Sequence, residues 1–373
     1  MIDKKLKICF VLSHLPQGGA ERQTINLIRG LEPSLYDITL LIYDNKDIFY
    51  EEVFTLPIHL KVRPAYKGNK LVRNLGNALF LRETLRELKF DIIHTLLFHN
   101  GFWVRLVAPR MYTGKIVYSV RNSLEKISGF EKLFEKILVS RSHVVTNSSK
   151  VKDQYLRIVG SRHISRITNI YNGIEIERFR SEEPPPLSEK IIIGTVGRQT
   201  IIKNQIQILQ AINNISRQYK FHFYLIGDKT QDSSVDNETF VKERKLNDFV
   251  TILDSQSEIE SYYKMFNIFI LSSIAESCPN VLFEAMLSKC ICIISAGSNT
   301  DNYVQHGING LVYDGTLRDL ERKLIHAIEI IGQALHGQMV ENGYKYASEN
   351  FSVERMVSDY ERLYLQICNK LEF

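Results

Sequence analysis

Short apolar runs alternate with amphipathic stretches along the whole chain, and no other feature restricts the fold as much. In the first half KICFVLSH (7–14), DITLLIYD (37–44), DIIHTLL (91–97), KIVYSV (115–120) and HVVTNS (143–148) read as strands. Residues 20–31, 74–89 and 150–159 carry helical spacing, with Leu75, Leu79, Leu81, Leu85 and Leu88 expected on one broad apolar face. The pattern resumes in the second half with IIIGTVG (191–197), FHFYLIGD (221–228), FVTILD (249–254), IFILSS (268–273) and CICIIS (290–295). Strands separated by helices predict βαβ units and parallel sheets, an α/β class.

A chain of 373 residues exceeds the roughly 250–300 at which one hydrophobic core tends to split, so two domains are expected. The stretch SEEPPPLSEK, Ser181–Lys190, interrupts the pattern; three consecutive prolines neither continue a helix nor sit in a central strand. The expected division is therefore 1–182 and 190–352, joined by this linker. The final amphipathic helix, about 353–373, has no strand after it and must pack against structure already built.

With 44% hydrophobic and 24% charged residues the composition is that of a globular protein, and no apolar run nears the ~18–20 residues of a membrane helix. The start, MIDKKLKICFVLSH, reads as a first strand rather than a leader, because its apolar run is short and no small-residue cleavage site follows. Five cysteines (Cys9, Cys278, Cys290, Cys292, Cys368) form no CxxC pair, which speaks against a disulfide framework and for a reduced cytoplasm. Residues 1–183 hold 29 Lys and Arg against 19 Asp and Glu, whereas the remainder holds 18 against 23. The basic half suits an anionic surface or a lipid-linked phosphate. A nucleic-acid role is disfavoured, since no binding motif accompanies the charge.

Open α/β sheets bind ligands beyond the carboxyl ends of their strands, so the polar residues there are the candidates. Gly18 and Gly19 follow the first strand and open a helix, allowing close backbone approach to an anion. After the first strand of the second half, Arg198 and Lys203 bracket a helix start; two cations beside helix amides fit a diphosphate. The stretch Glu276-Ser277-Cys278-Pro279-Asn280-Val281-Leu282-Phe283-Glu284 is the most specific. Pro279 suits the first position of a helix, and Glu276 and Glu284 flank its amides, where carboxylates can accept sugar hydroxyls. His94, His99, Arg121 and Asn122 lie at the ends of first-half strands, as acceptor-side candidates on an opposing cleft wall. No P-loop is present, which disfavours an ATPase.

In that order GGAER (18–22), IYNGI (170–174), VGRQTIIKN (196–204), ESCPNVLFE (276–284) and NGLV (309–312) resemble the motifs of glycosyltransferase family 4. The resemblance implies the GT-B fold, two Rossmann-like domains facing each other across a cleft, with the terminal helix crossing back to the first. It implies a retaining hexosyltransferase for cell-surface polysaccharide, drawing on a nucleotide diphosphate sugar, UDP- or GDP-linked. Arg198 and Lys203 would hold the diphosphate, Glu284 the ribose and Glu276 the transferred hexose. Backbone near Cys278, Pro279, Asn280 and Val281 would contact phosphates or sugar, and Gly19 would approach the diphosphate. His99 is the catalytic candidate of the first domain, because Arg121-Asn122 stands where many members carry a histidine. Gly297-Ser298-Asn299-Thr300-Asp301 replaces the family's usual GGxxE loop. No DxD is present, so no metal or other cofactor is expected, and the cations and helix termini would supply the positive field. The acceptor would be a glycan or polyprenyl-diphosphate-linked saccharide. Two other readings stay open: a GT-B nucleotide-sugar epimerase, and a non-catalytic nucleotide-sugar or glycan-binding module.

Within Leu124–Ser142 the residues Phe130, Leu133, Phe134, Ile137 and Leu138 form an apolar face flanked by Lys126, Lys132, Lys136 and Arg141. Such a helix either lies on an anionic membrane, at the inner face of the cell membrane, or packs on its own sheet.

Overall fold

The computed structural model describes residues 5–15, 18–44, 51–64, 69–124, 127–186, 189–230 and 236–368. Its contacts divide the chain into one unit of Met1–Gly173 with Val353–Phe373, and a second of Ile174–Ser352.

The first unit runs β1 (Leu6–Leu12), α1 (Gly19–Gly30), β2 (Tyr36–Ile42), β3 (His59–Val62), α2 (Lys70–Leu88), β4 (Ile92–Leu96), α3 (Leu97–Val107), β5 (Ile116–Val120), α4 (Gly129–Leu138), β6 (Ser142–Thr146), α5 (Ser149–Val159) and β7 (Ile167–Asn169). All seven strands are parallel, in the order β3-β2-β1-β4-β5-β6-β7. Helices cover both faces of such a sheet, so its central strands are apolar on both sides; Ile8, Cys9, Phe10 and Val11 are all fully buried. The strand order reverses between β1 and β4, the switch point of the sheet.

Two strands here escaped the sequence reading. Both β3 and β7 lie at sheet edges, where four and three residues are too short to show a period. The leucine face expected on residues 74–89 is also corrected: Leu81 and Leu85 are buried, but Leu75, Leu79 and Leu88 are exposed. At ~100° per residue, Leu75 and Leu79 lie well round the helix from Leu81 and Leu85.

The second unit runs α6 (Ile176–Phe179), β8 (Ile191–Val196), α7 (Gln205–Ile215), β9 (Phe221–Ile226), α8 (Asn237–Glu243), β10 (Val250–Leu253), α9 (Ile259–Tyr263), β11 (Ile268–Leu271), α10 (Asn280–Leu287), β12 (Ile291–Ser295), β13 (Leu311–Tyr313), α11 (Leu317–Ile330) and α12 (Ala334–Asn350). Its six parallel strands follow β10-β9-β8-β11-β12-β13, with the reversal between β8 and β11. NGLV spans the turn into edge strand β13, which takes up its Leu311 and Val312: Asn309 Oδ1 accepts from Gln305 N at 2.7 Å, and a side chain on Gly310 would meet Cys292 O.

The division falls at Gly173, ahead of the proline stretch expected as linker. That stretch is fastened to the second unit, since Ser181 N donates to Leu287 O at 3.2 Å and Asn267 Nδ2 to Pro185 O at 3.2 Å. Proline breaks a helix, but it does not prevent a chain from lying along a surface.

The last described helix, α13 (Val353–Ile367), belongs to the first unit, burying Met356, Val357, Tyr360, Leu363 and Tyr364 in its core. Residues 369–373 of the expected helix lie outside the described residues. The return demands close backbone approach. A Cβ on Gly30 at the end of α1 would lie 2.4 Å from Val357 Cγ2, and one on Gly173 would lie 2.7 Å from Val353 Cα. Gln23 reads the Gly173 backbone with both ends of its amide, at 2.7 and 2.8 Å. IYNGI is thus a structural motif, needed where α13 docks.

Candidate functional site

The site assembles at the switch point of the second sheet, where the chain leaves β8 and β11. Beyond β8, Gly197 adopts φ 149°, Thr200 caps a short turn over Ile201–Lys203, and Asn204 takes the left-handed conformation before α7. Gln205 Nε2 donates to the carbonyls of Gly197 and Arg198, each at 3.1 Å, which fixes this loop. The next loop is stitched to it: Ile274 N donates to Ile202 O at 2.8 Å, and Ser272 Oγ to Lys203 O at 2.8 Å.

Onto this frame the sequence places its two charges. Lys203 Nζ meets Glu276 Oε1 at 2.5 Å, both side chains partly buried, and Ser273 Oγ donates to the same oxygen at 2.7 Å. Arg198 is exposed, with no ion pair among the described residues. A cation already paired and a second one pointing outward fit a ligand that carries more than one negative charge.

Glu276 owes its position to hydroxyls to which the sequence assigns no such role. The carbonyl of Ser273 accepts from Ser295 Oγ at 2.5 Å and Ser298 Oγ at 3.0 Å. The carbonyl of Ser277 accepts from Tyr303 Oη at 2.7 Å and Thr300 Oγ1 at 3.2 Å. Two pairs of hydroxyls from residues 295–303 therefore hold both ends of the loop that carries Glu276. Asp301, the shorter acid of that segment, is half-buried. The usable signal was the density of hydroxyls just past β12.

Helix α10 begins at Asn280 with Pro279 as its cap, one residue later than expected, and Glu276 lies just outside its start. Cys278 and Pro279 are buried, while Asn280 and Val281 are half-buried at the helix opening. Glu284 lies one turn inside, where Tyr263 Oη donates to its Oε2 at 2.8 Å. The structure thus unites Lys203 and Glu276 directly, sets Arg198 on the adjoining loop, and gives Glu284 a separate partner.

In the first unit, Gly18 caps α1 and Gly19 opens it; a Cβ on Gly18 would lie 2.5 Å from Glu21 Oε2. His99 is exposed on the first turn of α3. His94 is corrected outright, for it lines no cleft. It is buried, with Nδ1 2.6 Å from Tyr364 Oη and Nε2 2.9 Å from Ser119 Oγ, packed between Phe10 and Tyr360. Burial, reinforced by the Arg121 charge, pushes its pKa well below 6.5, so the ring is neutral. Arg121 is buried as well, bonded to Asn172 Oδ1 and, at 2.9 Å, to Tyr360 Oη. It anchors α13, yet with exposed Asn122 it also lines a cavity of about 190 Å³ shared with Phe98, Tyr118 and Tyr155. That cavity lies beyond the carboxyl ends of β4 and β5.

Residues 17–178 match the model of Glycosyltransferase Family 4, and residues 176–346 that of Glycosyl transferases group 1. Among curated proteins the chain is 22% identical to alpha-monoglucosyldiacylglycerol synthase of Acholeplasma laidlawii, covering 97% of each chain. It is 21% identical to UDP-Gal:alpha-D-GlcNAc-diphosphoundecaprenol alpha-1,3-galactosyltransferase of Escherichia coli, covering 80% of this chain and 82% of that one. Among solved structures, Anabaena HepE in complex with UDP superimposes with a TM-score of 0.78 at 18% identity, covering 96% of this chain and 99% of that one.

Proposed function

Because the chain belongs to the family 4 glycosyltransferases and has their GT-B fold, we propose that it transfers a hexose-type sugar from a UDP- or GDP-linked donor, with retention and without a metal, to a lipid-linked saccharide of a surface glycan or glycolipid. The observation that carries this reading is the Lys203–Glu276 pair at the β8/β11 switch point, with Arg198 exposed beside it. The diphosphate would take the Lys203 ammonium and the Arg198 guanidinium, and the N-terminal amides of α10 would add partial positive charge. Glu276, released from the lysine, would accept hydroxyl hydrogen bonds from the hexose, and Glu284 from the ribose.

The bond from the anomeric carbon to the leaving phosphate oxygen breaks, and the acceptor oxygen bonds that carbon on the same face. The acceptor proton passes to the leaving phosphate. Negative charge grows on that phosphate as the bond opens, and the two cations stabilise it there. The names of the E. coli and Acholeplasma relatives, a diphosphoundecaprenol and a diacylglycerol glycoside, support a lipid-borne acceptor.

A thermal-shift series with UDP-, GDP- and ADP-sugars tests the donor site. The true donor stabilises the folded chain by RT ln(1 + [L]/Kd) and so raises its melting temperature, and no shift with any of them sinks the assignment. Arg198→Ala and Lys203→Ala should each lower turnover by roughly 10²–10³, the scale for a lost transition-state donor. Turnover near the parent's in both variants contradicts the site. Turnover that survives EDTA, with an α-linked donor giving an α-linked product by NMR, checks the metal and the stereochemistry.

A further inference from the structure

Helix α4 is packed with its apolar face outward. Phe130, Leu133, Phe134 and Ile137 share one stripe at helical spacing, and Phe130, Leu133 and Ile137 are 59%, 54% and 58% exposed. The inward edge carries Glu135 and Leu138 instead, with Glu135 only 1% exposed. Its carboxylate is fully engaged: Arg105 Nη1 and Nη2 donate to it at 2.8 and 2.7 Å, and Tyr155 Oη at 2.5 Å. Arg105 is itself buried, donating from Nε to Gly101 O at 2.9 Å and stacked 4.0 Å from the Tyr118 ring. An ion pair this specific fixes the rotation of α4 on α3, and the rotation it fixes keeps the phenylalanine stripe in water.

The stripe does not end at α4. Phe130 and Phe134 lie 4.5 Å apart, Phe134 meets Phe102 of α3 at 4.9 Å, and Phe102 stacks on Phe98 at 6.0 Å. Phe98 lines the Arg121–Asn122 cavity, so an aromatic track joins a polar cavity to an exposed apolar face. Contiguous exposed apolar surface of this kind marks an interaction site.

We propose that this track seats the protein on an anionic lipid bilayer, with Phe130, Leu133 and Ile137 entering the headgroup–acyl boundary. Charge selects the occupant. Lys132 and Lys136 are exposed on the same helix, while Arg141 is turned inward to the carbonyls of Arg105 and Ala108, and Lys126 lies outside the described residues. Two lysines beside an apolar stripe match lipid phosphates. The surface deepens the reading of a lipid-borne acceptor, but its test reads binding alone.

Flotation of the full chain is compared on vesicles of phosphatidylglycerol with phosphatidylethanolamine and on vesicles of phosphatidylcholine alone. The parent should float with the anionic vesicles at low salt and less at high salt. Phe130→Ser/Leu133→Ser/Ile137→Ser should abolish flotation, and Lys132→Glu/Lys136→Glu should remove it at low salt. Ile137→Trp should strengthen it, which keeps the test decisive if the triple variant folds poorly. Equal flotation of the parent and the triple variant, or no flotation of the parent, overturns the proposal. So does a parent dimer in sedimentation that the triple variant dissociates. UDP-sugar stabilisation read in the same samples separates the two readings, since its survival leaves the donor site standing while the lipid surface fails.

Discussion

His94, on β4, packs against α13 with both ring nitrogens bonded to hydroxyls, and burial beside the Arg121 charge favours its neutral form. Its folded pKa lies well below 6.5, so below that pH the unfolded chain binds a proton that the folded chain refuses. Stability from this group is complete above about pH 6.5 and falls as the pH drops toward the folded value. Urea unfolding of the parent should therefore weaken between pH 7 and 5 more steeply than that of His94→Gln, the difference approaching about 1.4 kcal/mol per pH unit. Equal slopes would mean that His94 is not held neutral. The same residue shows where sequence reasoning loses its grip. A histidine in a strand reads identically whether it faces a ligand or a returning helix 270 residues later. Lys203 and Glu276 were legible because glycine, cation and acid–proline signals flank them in one local stretch each. Tyr303 was not, and Ser298 stood out only as part of the altered loop, because what both hold is the backbone of a distant loop.

At the level of elements, the Arg105–Glu135 pair joins α3 to α4, and removal of one partner strands a buried charge. Arg105→Met should cost about 3–5 kcal/mol in urea unfolding, and Arg105→Met/Glu135→Leu should recover most of it. A double variant as weak as the single would show that the helix is oriented by something else. Ten strands were readable from their apolar runs. The three that were not, β3, β7 and β13, are short edges whose position comes from pairing rather than from pattern. The apolar face of α4 was visible as periodicity, but its direction was not. Periodicity reports that a face exists, and only the partners of Glu135 decide which way it points.

In the whole molecule, the two units predict two unfolding events. A UDP-sugar that binds in the second unit should raise one calorimetric transition. Gly30→Ala, which forces a methyl against Val357, should lower the other, and Gly30→Ala/Val357→Ala should restore it. A single transition moved by both perturbations would show that the units melt together.

The docking of α13 onto the first unit has a consequence for biosynthesis. The sheet that begins at Leu6 is synthesised before the second unit, yet its core lacks Met356, Tyr360 and Tyr364 until that whole unit has been made. The unit that starts later, at Ile174, has its described strands by Tyr313 and the α11 and α12 residues of its core by Val340, so it can close while its elder neighbour still waits. Nascent chains halted shortly before Val353 should hence be the form that chaperones grip hardest.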